Sequence, residues 1–142
     1  MTNAGATTTG LAEVRAGVSR LPAVVTERLR KVARDTALRV KAGARARVRK
    51  DTRITEQSID VYPRPEQRQY RVGVFASPPH VRQGKRTTRT AYLPNLALWI
   101  EMGTIKKPAS PFLAPAAEAE DARYQRDAAD AALGAAAEVF TK

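Results

Sequence analysis

Leu96-Ala97-Leu98-Trp99-Ile100-Glu101-Met102-Gly103-Thr104, followed after a basic linker by Pro111-Phe112-Leu113-Ala114-Pro115-Ala116, is the stretch on which the reading of the fold turns. A short apolar run of this kind fits a buried strand and a buried helix equally well by periodicity. Pro94 ahead of it and Gly103 behind it match the preference for proline near a helix start and glycine just past a helix end. Leu96 to Met102 is therefore expected to be a short helix. Beyond Lys106-Lys107-Pro108, Pro115 is expected to open a last, alanine-rich helix over 115–140, with Glu118, Glu120 and Asp121 in its first turns, where the helix dipole favours carboxylates. Ala116, Ala119, Tyr124, Ala128, Ala131, Leu133 and Ala135 give that helix a small-residue stripe against which another helix can pack closely.

That other helix is N-terminal. Leu11, Val14, Val18, Leu21, Val25, Leu29, Val32, Thr36, Val40, Ala44 and Val48 recur three to four residues apart, which places them on one helical face. Pro22 interrupts the pattern, because an internal proline removes a backbone hydrogen bond and crowds the preceding turn. Either a kink at Pro22, or a short helix ending near Arg20 and a longer one starting at Pro22 and running to about Val48, satisfies it. The opposite face carries Arg28, Lys31, Arg34, Arg39, Lys41, Arg45 and Arg49.

Between the helices, residues 51–92 read as a β-hairpin and a basic loop. Ile54 to Tyr62 and Tyr70 to Ala76 alternate as strands do, and Pro63, Pro65 and the polar residues up to Gln69 suit the turn joining them. Ser77 to Thr90 holds Pro78, Pro79, Gly84 and four cations, Arg82, Lys85, Arg86 and Arg89, with almost nothing to bury. It reads as an exposed, mobile loop. The fold class is α+β: a long N-terminal helix, a small antiparallel sheet with an extended basic loop, and a C-terminal helix packed on the first. Its 142 residues suit one domain over 11–142, with 1–10 as a disordered tail, 11–50 helical and 93–116 as the joining segment.

The chain contains no cysteine, which excludes disulfides, thiolate zinc sites and a cysteine nucleophile. Residues 1–10 lack the basic and apolar regions of a signal peptide, and no run of 18 apolar residues occurs, so a soluble, unsecreted protein without a membrane partner is expected. Net charge is +11 and unevenly spread. Residues 1–50 hold twelve Lys or Arg against three acids, whereas Ala117–Lys142 hold three against six. Opposite signs at the two ends suit a polyanion partner, or copies meeting head to tail, or simply solvated faces.

His80 has no partner at metal-ligand spacing, and Gly43, Gly73, Gly84, Gly103 and Gly134 are scattered singly, with no phosphate-cradling loop. With no nucleophile and base to assemble, a non-enzyme without cofactor or metal is expected. Glu101 needs a partner, because an unpaired carboxylate in an apolar run is costly to bury. An arginine of a neighbouring copy, a partner within the chain, or solvent exposure would each serve. Trp99, Phe112 and Leu113 are either ordinary core or the aromatic and apolar anchors of a subunit interface. Arg82, Lys85, Arg86 and Arg89 can contact phosphates without reading sequence, since no aromatic residues are interleaved among them.

The order and spacing of these elements resemble the neck, or tail-component, family of long-tailed bacteriophages, named for the tenth gene product of a lambdoid coliphage. The resemblance rests on Trp99-Ile100-Glu101-Met102-Gly103-Thr104 spaced to Pro111-Phe112-Leu113-Ala114-Pro115-Ala116, and on Asp51-Thr52-Arg53-Ile54 followed by Ser58-Ile59. Arg53 stands where the family pattern has glycine. The resemblance implies a structural virion protein of a siphovirus, forming a homo-oligomeric ring, a hexamer, at the head–tail junction as a neck or tail-completion component. It implies head-closure and tail-terminator or tail-tube proteins as neighbours. Within that reading, charge alone makes transient, non-specific contact of Arg82, Lys85, Arg86 and Arg89 with double-stranded DNA in the lumen an expectation. Subunit contacts would fall on Trp99, Glu101, Gly103, Thr104, Phe112, Leu113 and Pro115, and the protein would reside in the virion, and in the host cytoplasm during assembly. The rival is a small basic non-specific nucleic-acid-binding protein, which explains the charge but not the spacing of the joining segment.

Overall fold

In the computed structural model the described residues are 9–48, 53–74, 80–83, 88–91 and 93–141. The elements run α1 (Thr9–Arg47), α2 (Arg53–Ser58), β1 (Asp60–Arg64), a 3-10 turn (Pro65–Gln67), β2 (Gln69–Gly73), β3 (His80–Gln83), β4 (Thr88–Ala91), α3 (Leu93–Met102) and α4 (Leu113–Phe140). The class is α+β, with a long N-terminal helix, antiparallel two-stranded sheet and a C-terminal helix packed on the first.

The chain divides into two compact units, one formed by residues up to Val32 with those from Tyr124 onward, the other by Ala33–Arg123. In the first unit the two helices approach closely at Gly17, where a Cβ would stand 3.1 Å from the Phe140 ring and 3.2 Å from Val139. Arg28 pairs with Glu138, and Ala135 is fully buried. Pro22 lies inside α1, so the helix is continuous and the expected alternative of two helices does not occur. The carbonyl that Pro22 itself presents accepts a bond from Thr26 Oγ1 at 2.7 Å. Val14 and Val18, expected on the buried stripe, are instead 54% and 55% exposed.

The second unit holds the main core: Ala44, Val48, Ile59, Val74, Ala97, Phe112 and Ala116, with Val40, Val72, Leu96, Ile100 and Leu113 packed around them. Arg39 Nε meets Glu120 Oε2 at 2.7 Å. The arginines read as a face opposite the apolar stripe are therefore partly inward. Arg39 grips α4, and Arg45 donates to the carbonyl oxygens of Ile59, at 2.9 and 3.2 Å, and Gln57, at 3.1 Å. Together with Arg28–Glu138, the Arg39–Glu120 pair shows that part of the charge asymmetry between the two ends is satisfied within one chain.

The region between the long helices departs from the sequence reading in two places. Residues 54–58 form the short helix α2, not the start of a strand. Thr55 and Ile59, four apart, are both fully buried, as one helical turn leading into the core requires. The first strand begins at Asp60, anchored where Lys41 Nζ meets Asp60 Oδ1 at 2.6 Å. Asp60 is held below the ordinary carboxylate range, first by the Lys41 bond and next by the Val61 N–H. β1 and β2 pair antiparallel from Asp60↔Gly73 to Arg64↔Gln69, and Arg68 closes the turn in the left-handed conformation at φ 52°. The region read as a basic loop contains a second antiparallel ribbon, β3 with β4, running from His80↔Ala91 to Gln83↔Thr88. The expected tail at 1–8, the mobility expected of the basic tip, and Lys85 and Arg86 lie outside the described residues, while Thr9 and Gly10 already belong to α1.

Candidate interaction site

The joining segment is built from α3, a tight turn and the start of α4. Leu96, Ala97 and Ile100 turn α3 toward the core, and α2 lies against α3. The helix ends where Gly103 N–H bonds to Trp99 O at 2.9 Å, with Gly103 at φ +78°. That left-handed conformation is one a residue with a Cβ adopts only at a cost. A Cβ here would also stand 2.6 Å from Ala109 N and 3.0 Å from Ala109 Cα, too close for any side chain. Thr104 and Lys107 then close a turn with Thr104 N–H to Lys107 O at 2.8 Å and Lys107 N–H to Thr104 O at 3.1 Å. Ser110 N–H returns to Ile100 O at 2.8 Å.

Glu101 supplies the link that explains the motif. Its Oε2 accepts the N–H groups of Phe112 at 2.8 Å and Leu113 at 3.0 Å, and its Oε1 accepts that of Ala114 at 2.9 Å. The first donors of a helix have no partner inside it. Here one carboxylate takes those of residues 112–114, and Pro115 has no N–H to satisfy. The spacing of Glu101 to Phe112 and Pro115 thus covers the start of α4 completely. Burial pushes the Glu101 carboxyl up, but the N–H groups of Phe112, Ala114 and Leu113 together outweigh it and hold the group below its ordinary value.

The residues expected at a subunit interface therefore separate into two sets. Phe112 is fully buried and has no surface to offer, Leu113 packs on the core, and Pro115 is half-buried in the first turn of α4. Gly103 shapes the turn, and the Glu101 carboxylate is occupied within its own chain, so an arginine of another copy is not needed to satisfy it. Trp99, half-exposed, and Thr104, exposed, remain on the surface. Beside them stand residues that the sequence reading does not single out: Leu98 at 57%, Met102 at 72% and Ile105 fully exposed. A signal for them is present in the sequence, because α3 is apolar around most of its circumference. A short helix of that kind in a small protein has only one side to give to its own core.

Of the expected phosphate contacts, Arg82 in β3 and Arg89 in β4 occupy directly opposed register positions. Like charges at such positions destabilise a ribbon in isolation. Among the described residues no group of three or more His, Cys, Asp or Glu is arranged to hold a metal ion, and no helix is long and apolar enough to cross a membrane. No protein family, no curated protein and no solved structure matches this chain at a significant level.

Proposed function

We propose that this protein is a structural subunit of the head–tail junction of a long-tailed phage, a neck or tail-completion component. Its copies form a ring through which DNA passes, in the virion and, before that, in the host cytoplasm. The single observation that carries the reading is the arrangement of residues 96–116. The residues that bear the resemblance, Glu101, Gly103, Phe112 and Pro115, join α3 rigidly to the start of α4, and the same helix leaves Trp99 and its apolar neighbours in solvent. A rigid frame presenting an aromatic residue is what a subunit interface requires.

A role without catalysis fits the same geometry. Glu101 is a half-buried carboxylate in the segment, and its oxygens are engaged by three backbone N–H groups that favour its charged form. A group held so is a poor general base. The register that pairs Arg82 with Arg89 in the second ribbon supports loose contact with duplex DNA, because arginine supplies the sequence-independent part of such affinity.

The deciding experiment is electron microscopy of particles assembled without this protein. Filled capsids beside complete but unattached tails are expected. Normally joined particles would overturn the reading. Tight binding of duplex DNA by the free protein at physiological salt would favour a nucleic-acid-binding protein instead.

A further inference from the structure

The outer side of α3 and the turn after it expose Leu98, Trp99, Met102 and Ile105 within eight residues of sequence. Single exposed apolar residues are ordinary, whereas four large ones at one helix end and the turn after it mark a candidate interaction surface. Lys106 and Lys107 follow directly, both exposed and neither in an ion pair among the described residues. The surface is therefore apolar at one end and cationic at the other.

A complementary surface lies on α4. Asp130, Leu133, Ala137 and Phe140 are all exposed and spaced three, four and three residues apart, the spacing of a seam that receives another helix. Leu133 is 71% exposed, and Phe140 keeps 51% of its surface open although one edge of its ring lies against Gly17 of its own α1. Asp130, at the head of this row, has no cation partner among the described residues, whereas Glu120 and Glu138 on the same helix are taken by Arg39 and Arg28.

We propose that the Leu98–Trp99–Met102–Ile105 surface of one copy docks on the Asp130–Leu133–Ala137–Phe140 row of a second copy, with Lys106 and Lys107 meeting Asp130. Charge decides between this occupant and the others the chain offers. Two α3 surfaces face to face would set lysines against lysines, and although α1 exposes Val14, Val18 and Leu38 together with Glu13 and Asp35, exposed Arg15, Arg20 and Arg34 flank those apolar residues and oppose the two lysines. On α4 an apolar row is joined to an unused carboxylate. The two surfaces are different, so the contact is heterologous: each copy uses one and leaves the other for the next, giving a ring when the rotation closes and a filament when it does not. The inference deepens the ring reading and rests on it for closure.

The absence of cysteine from the chain provides a direct test. Met102→Cys and Leu133→Cys replace side chains that are 72% and 71% exposed, so neither disturbs the core. Under mild oxidation, an equal mixture of the two full-length single variants is expected to give a disulfide-linked heterodimer, and each variant alone is expected to give none. The double variant gives a reducible ladder. Trp99→Ala in both partners lowers the cross-linking yield at least about tenfold, as loss of a central aromatic anchor does. Dimers from Met102→Cys alone, or a mixture that links no better than its components, overturn the proposal. A wild-type ring seen by sedimentation without mixed cross-linking overturns this docking and leaves the ring reading standing. Mixed cross-linking by a protein missing from purified virions supports the docking and removes the head–tail reading.

Discussion

Glu101 and Phe112, eleven residues apart, are joined by a 2.8 Å bond in which the backbone N–H of Phe112 donates to the Glu101 carboxylate, the first of three such bonds that fasten α3 to the start of α4. Because these donors favour the charged form, the folded-state pKa lies below the unfolded one. The stabilisation is thus present above the ordinary glutamate pKa, near 4.3, and is lost as pH falls through the lower folded value. Glu101→Ala is expected to cost about 2 kcal/mol at neutral pH, the size of a strong helix cap. Urea unfolding across pH 2–7 checks this, and Glu101→Gln should remove that carboxylate's share of the acid-limb decline.

Gly103 tests the turn separately from the cap. Gly103→Ala must tolerate φ +78° and place a Cβ 2.6 Å from the Ala109 backbone, which cannot retreat as the end of a flexible side chain can. The expected loss is at least about 2 kcal/mol, combining the cost of the left-handed conformation with displacement of residues 107–109. A Tm lowered by several degrees, with α-helical circular dichroism retained below the transition, is the expected outcome.

Phe112 and Trp99 should divide stability from assembly. Phe112 is fully enclosed, and Phe112→Ala is expected to destabilise by about 3–5 kcal/mol through lost burial and a residual cavity. Trp99 is half in solvent, and Trp99→Ala should cost the isolated chain less than about 1.5 kcal/mol, because much of its surface is never buried on folding. The same variant should fail to assemble. Denaturation midpoints together with sedimentation of each variant separate the two effects.

How much of the fold and site is legible in the sequence depends on where each physical cause lies. The long helices and α3 can be read, since their periodicity and the Pro94 and Gly103 boundaries are local. α2 escapes such a reading because Ile54, Thr55 and Ile59 favour strands by type, while the four-residue spacing that buries Thr55 and Ile59 together belongs to a helical turn. The ribbon from His80 to Ala91 resembles a loop because it has no apolar alternation, although Val81, Thr88 and Thr90 carry strand preference. That Glu101 needs a partner follows from its apolar neighbours, but the partner is backbone, which no side-chain pattern announces. The surface at Leu98, Met102 and Ile105 is hidden for a different reason: apolar character does not reveal which side of a helix its own core claims.

Pro22 is exposed inside α1, so its effect on the helix can be isolated from packing. Without an N–H at residue 22, the carbonyl of Val18 lacks its helical donor. Pro22→Ala restores that bond and the backbone freedom to form regular helix, and is expected to stabilise the protein by about 2 kcal/mol, somewhat under the full penalty of an internal proline. Thermal unfolding should show the gain. No change would mean that the helix already accommodates the proline without loss.

Arg82 and Arg89 hold opposed register positions in the second ribbon, and the sequence between them adds Lys85 and Arg86 without any acid in the 80–91 segment. If these cations meet duplex phosphates, each contact releases condensed counterion and contributes about 0.9 to the slope of log K against log salt. Replacing Lys85, Arg86 and Arg89 with glutamine should then lower DNA affinity at every sequence alike and flatten the slope by up to about 2.7 for three contacts. Substituting the α1 cations Arg30, Lys31 and Arg34, which are exposed but lie on another element, serves as the control. An equal loss from both triple variants would show that net charge alone governs the association, whereas a loss confined to the ribbon would locate the contact there. Fluorescence anisotropy with a short duplex over a range of salt concentrations distinguishes the two.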